Sequence, residues 1–109
     1  YSPLAVGLLT GVYSLEAPPP EGSLWAKRRM RDRFSGALSR RNAAVLAAVH
    51  EIAAEMGATP AQVSLAWVLS RSEITVADVG CDNVDQIDEN LGALDLELSP
   101  AQIGRLNGE

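Results

Sequence analysis

Apolar residues fall at helical spacing through the second half of the chain and thin out in the first. Val45, Leu46, Val49, Ile52, Ala53 and Met56 share one face of a helix predicted to begin at Asn42 and to end at Gly57. Thr59-Pro60-Ala61-Gln62 then carries the signs of a new helix start: a capping hydroxyl, a proline where no N–H is needed, and an amide that reaches back. The residues after it, Val63, Leu65, Ala66, Trp67, Val68 and Leu69, are apolar nearly all round, which predicts a buried helix. Val84, Ile87, Leu91 and Leu94 mark one face of a further helix over 83–94, and Ser99-Pro100-Ala101-Gln102 opens a last one through Leu106. The two Pro-Ala-Gln starts are read as one good capping solution used twice.

Strand patterns are shorter. Ile74 to Val79 is β-branched and bounded by Gly80, which predicts a strand, and Tyr1 reads as the end of another that turns through Ser2-Pro3. Ser70 to Ser72 is predicted as a turn, and Gly11 to Gly22, with Pro18-Pro19-Pro20, as a loop. Ser23 is a candidate N-cap for a basic helix over about 24–34. Strands alternating with helices indicate parallel strands joined by crossovers. Two strands do not make a parallel sheet covered on both faces. The helix around Trp67 is therefore expected to need a surface this chain lacks, and self-association is expected of the isolated chain.

Composition narrows the class. With 109 residues, 47% hydrophobic and 21% charged, the chain fits one ordinary globular domain. No apolar run approaches the roughly 20 residues that span a bilayer. The opening lacks the pattern of a secretion signal, and Cys81 is the one cysteine, so a reducing cytoplasm is expected. The net charge of -5 argues against a nucleic-acid partner, although seven of the nine basic residues crowd into 27–41. That the chain opens at Tyr1 without methionine, inside a strand end, is expected of a fragment.

Catalytic chemistry is sparse. His50, the one histidine, is read as a partly exposed helix residue and Cys81 as a small packed side chain; together they make no zinc site. Asp78, inside the predicted strand, would need a partner if buried. Two segments say more. Gly80 to Asn90 is a strand end, a turn and a helix start, where free N–H groups and the helix dipole suit phosphate or ribose oxygens. Gln86, Glu89 and Asn90 lie at i, i+3 and i+4 on one face, although Asn83 with Gln86 is also an ordinary capping pair. The second segment is Tyr1 to Gly11, an aromatic at a strand's carboxyl end followed by Ser2 and backbone amides.

In this order and spacing the chain resembles the aldo-keto reductase family. The likeness runs through Tyr1-Ser2-Pro3-Leu4-Ala5, Gly7 to Gly11, Thr59 to Leu69, Val79-Gly80 with Gln86, Glu89 and Asn90, and Leu91 to Leu94 with Leu98-Ser99. The resemblance implies an α/β fold, the C-terminal portion of a (β/α)8 TIM barrel. Residues 1–109 would supply the last two strands and their helices, mostly helical in this chain. It implies NAD(P)H as cofactor and a small carbonyl compound as substrate. Tyr1 would stack on the nicotinamide, Ser2 and Leu4 would line the pyrophosphate path, and Gly80, Asp82, Gln86, Glu89 and Asn90 would hold the adenosine end. The family's catalytic residues lie on earlier strands, so no catalytic residue is expected here. Val12, Leu24 and Asp82 stand where the family often has cations or a hydroxyl, and Asp82 implies a preference for NADH. Two other classes remain open: a non-catalytic subunit that senses nucleotide redox state, and an interaction module built on the basic helix.

Overall fold

A computed structural model describes residues 1–13, 17–27 and 40–109, and among these described residues there are four α-helices. Helix α1 (Arg40–Met56) buries Leu46, Val49, Ile52 and Ala53, the stripe that the spacing predicts. It ends in a left-handed Gly57, with Ala58 N–H donating to Ala53 O at 2.9 Å and Gly57 N–H to Ala54 O at 3.4 Å. That pair of bonds satisfies carbonyls the helix end would otherwise orphan. Helix α2 (Pro60–Leu69) starts at the predicted capping box: Gln62 N–H donates to Thr59 Oγ1 at 3.2 Å, and Thr59 N–H to Gln62 Oε1 at 3.0 Å. Helices α3 (Val84–Leu91) and α4 (Pro100–Asn107) follow, joined in part by a 3-10 turn over Gly92–Asp95. Ser99 and Gln102 repeat the capping box on α4.

The core lies where α1, α2 and α4 meet. Val49, Ile52, Ala53, Val63 and Leu106 pack together, with Trp67, Leu96 and Leu98 partly covered against them. Ile52 and Val63 are fully buried, each side chain contributing about 1.5–3 kcal/mol by leaving water. A second cluster joins Leu8, Trp25 and Leu46 beneath the N-terminal turn. Polar ties finish the joint: Trp67 Nε1 donates to Asn107 Oδ1 at 3.0 Å, and Arg105 forks onto Glu51 (2.6 Å) and Glu55 (2.9 Å). Helix α2 thus finds covering surface inside this chain, from α1, α3, the 3-10 turn after α3 and the N-terminal 3-10 turn. The expectation that it would lack one is corrected. Its apolar circumference is used because the short elements wrap it on several sides.

The strand expectations are also corrected. Among the described residues no strand forms. Residues 74–79 run irregularly, Ile74 N–H closing a turn onto Arg71 O at 3.0 Å and Val76 standing 76% exposed. β-branched residues favour extended backbone, but a strand exists only when a neighbour takes up its N–H and C=O groups. Near Tyr1 the chain coils through left-handed Ser2, Ala5, Val6 and Gly7 into a 3-10 turn over Leu8–Thr10. The start of the predicted basic helix differs as well. Ser23 does cap, accepting from Ala26 N–H at 3.2 Å, but over a 3-10 turn at Leu24–Ala26 that Lys27 leaves in extended geometry. The rest of that prediction, 28–34, lies outside the described residues.

No helix among the described residues is long and apolar enough to cross a membrane.

Candidate functional site

A cleft of about 700 Å³ opens between the N-terminal turn, the 3-10 turn after Ser23 and the start of α3. Seven of the residues singled out in the sequence line it: Ser2, Leu4, Gly80, Asp82, Gln86, Glu89 and Asn90. Tyr1 does not. Its side chain is fully exposed, outside the lining.

The first wall is a strained coil. Val6, a β-branched residue, is held at φ 58, a region that costs L-residues about 1–2 kcal/mol. Its carbonyl is fixed by Trp25 Nε1, which donates to Val6 O at 3.0 Å from the buried indole. Strain of this kind persists when surrounding contacts over-determine the backbone. Here the indole bond and the Leu8–Trp25–Leu46 cluster do so.

The opposite wall is the entry to α3. Asn83 caps it, Oδ1 accepting from Gln86 N–H at 2.9 Å. Gln86 reaches back one residue further than in an ordinary box, Oε1 accepting from Asp82 N–H at 2.7 Å. Asn90 Nδ2 donates to Cys81 Sγ at 3.2 Å, stapling the turn to the helix. Cys81 is exposed, which corrects the packed reading: the turn leaves no core behind it to receive the thiol. Asp78 is exposed too, so no buried carboxylate needs a partner. His50 is exposed on α1, with its ring edge toward Gly11.

Chemically the cleft offers hydroxyls, amides and backbone groups together with the apolar side chains of Leu4, Val6, Val12 and Leu24 and the acidic residues Asp82 and Glu89. Among the described lining residues there is no lysine or arginine. No group of three or more His, Cys, Asp or Glu among the described residues could hold a metal ion.

The sequence pattern of the Aldo/keto reductase family matches residues 1–108. The chain belongs to the aldo-keto reductase family. It is 42% identical over 99 residues to an uncharacterized oxidoreductase of Mycobacterium tuberculosis, covering 91% of this chain and 29% of that protein. The yakc aldo-keto reductase of Schizosaccharomyces pombe, whose name specifies NADP(+), is 34% identical over 103 residues, 94% of this chain and 29% of its own. A probable aldo-keto reductase of Glycine max is 35% identical over 99 residues, 91% of this chain and 28% of its own. The chain therefore spans less than a third of the relatives it matches.

Within this aldo-keto reductase chain, sequence reasoning missed part of the cleft. Ala61 on α2 and Thr10 in the N-terminal coil also line it, and Ser23 lines it as well as capping its turn. Ala61 gave no signal, because a small residue on an apolar helix reads as core.

Proposed function

We propose that this chain is the cofactor-binding C-terminal part of an NAD(P)H-dependent carbonyl reductase of barrel fold, inactive alone and working in the cytoplasm. The observation that carries the reading is the cleft itself. It joins Ser2 and Leu4 to Gly80, Asp82, Gln86, Glu89 and Asn90 across some three-quarters of the chain. Its size lies within the usual 300–1,000 Å³ of small-molecule sites, and an apolar bed with a few placed polar groups is their usual chemistry. A nicotinamide dinucleotide fits such a donor set. Its phosphates would meet Ser2, Ser23 and the backbone amides, and its ribose and adenine would meet Gln86, Glu89 and Asn90. When bound, the cofactor supplies hydride to an aldehyde or ketone. The acid and base that handle the proton come, by the family resemblance, from outside residues 1–109.

Cofactor choice follows from charge. Asp82 is exposed in the cleft lining, at the end we assign to the adenosine. A carboxylate about 4 Å from a 2′-phosphate costs roughly 1 kcal/mol in water and about 4 kcal/mol at an effective dielectric near 20. The same group accepts a hydrogen bond from a free ribose hydroxyl. We therefore read the site as favouring NADH, although one relative is named for NADP(+). The test is a titration of the chain with both cofactors by fluorescence, together with an assay of aldehyde-dependent cofactor oxidation. Saturable binding without turnover is expected, tighter for NADH by about five-fold or more, and Asp82→Arg should move the ratio toward NADPH. Absence of binding sinks the reading; turnover by the chain alone sinks the assignment of catalysis elsewhere; an unmoved ratio makes Asp82 merely a helix-start residue.

A further inference from the structure

We propose that Gln62 is a positioning residue for the adenosine end of the cleft, acting through Glu89; this rests on the cofactor reading above. Its single amide does two things. Oε1 accepts from Thr59 N–H at 3.0 Å to cap α2, while Nε2 donates to Glu89 O at 2.8 Å, 27 residues away. Glu89 lies in the last turn of α3; its carbonyl accepts from Gly92 N–H, and the Gln62 amide adds a second bond from outside the helix. The amide thus ties the start of α2 to the end of the helix that presents Gln86, Glu89 and Asn90.

Two further observations give the tie its weight. Helix α3 buries none of its own residues, with Val84, Ile87 and Leu91 all exposed. Side-chain packing therefore does little to fix its place, and polar ties carry more of the task. Second, Gly92 lies against the same amide. A Cβ there would run into Gln62 Nε2 and stand 3.3 Å from Cδ. Gly92 has ordinary helical angles, φ −60 and ψ −18. Backbone freedom does not require glycine at this position. Room for the amide does.

Two substitutions separate positioning from capping. Gln62→Glu keeps an oxygen for Thr59 N–H and adds a charge that suits a helix start, but when ionised it has no donor for Glu89 O. Gly92→Ala leaves the chemistry of Gln62 intact and pushes its amide aside. ADP-ribose affinity by calorimetry, the melting temperature, and amide hydrogen exchange over 84–91 are measured for both variants and the wild type. Each variant should weaken ADP-ribose binding roughly two- to ten-fold, the loss expected for one hydrogen bond, with faster exchange in α3 and little change in melting. In Gln62→Glu both defects should shrink as pH falls toward about 4, where the introduced carboxyl regains a donor. The wild type alongside controls for the general effect of acid, and Gly92→Ala should show no such recovery. Unchanged affinity and exchange in both variants, with a wild type that binds, overturns the positioning role and leaves the cofactor reading standing. So does a lowered melting temperature in Gln62→Glu that acid does not repair. A wild type that fails to bind overturns the cofactor reading, and this role with it.

Discussion

At Gly11 backbone and packing both demand a hydrogen atom. Its φ is 85, and a Cβ would stand 2.9 Å from both His50 Cε1 and Pro60 Cγ. Gly57 separates the two demands, since its φ of 63 is also left-handed while nothing lies within 4 Å of its Cβ position. Gly57→Ala should therefore cost only the backbone term, about 1–2 kcal/mol. Gly11→Ala should cost that plus overpacking of about 1–3 kcal/mol, because it wedges the N-terminal coil off α1 and α2. Melting curves of the two variants test the split. Equal losses would mean that His50 and Pro60 give way freely and that the coil is not keyed into them. The coil carries Ser2 and Leu4, so loosening it should also blunt nucleotide binding in Gly11→Ala and not in Gly57→Ala.

Among elements, the contact of α1 with α4 carries the clearest pH signature. The Arg105 guanidinium beside Glu55 holds that carboxyl below its ordinary value of 4.5, and a hydrogen bond from Gln102 pulls the same way. A depressed folded-state value means the contribution is present above the unfolded value and is lost as pH falls through the folded one. Glu55→Gln should thus melt below the wild type at pH 7, with the difference closing as acid protonates Glu55 and shrinking in high salt, as befits an exposed pair. A gap that persists in acid would trace the loss to packing instead. The same scale explains what the sequence disclosed. Both Pro-Ala-Gln starts and the Gly57 end were readable because a cap is settled within five or six residues. The stretch from Ile74 to Val79 misled because a strand depends on a neighbour distant in sequence, and local β-branching says nothing of its presence. Ala61 and Thr10 in the cleft were opaque for the same reason: only the meeting of α2 with the N-terminal coil makes them lining.

For the molecule as a whole, one side is well packed and the other is not. Ile52 and Val63 are sealed, while Val84, Leu91 and Leu94 stand 68%, 56% and 69% exposed along α3 and the turn after it. Contiguous apolar surface of this sort marks a contact face. We expect concentration-dependent association of the 109-residue chain in sedimentation, with binding of a hydrophobic dye that falls as association proceeds. A monomer at all concentrations that binds no dye would count against it. The sealed side should unfold cooperatively whatever the other face does, since α1, α2 and α4 share one core.

The run from Ile74 to Val79, which pairs with no strand among the described residues, has a consequence for the 109-residue chain in solution. Short, β-prone, exposed segments seed cross-β fibrils when they meet their own kind. This one is interrupted by Asp78 and preceded by Glu73, both exposed, so stacking copies in register would stack like charges. Such residues act as gatekeepers, preserving solubility at no gain to the fold. The carboxylate that breaks the apolar pattern of the predicted strand thus acquires a purpose outside folding and binding. It keeps an exposed, β-prone segment from becoming a template.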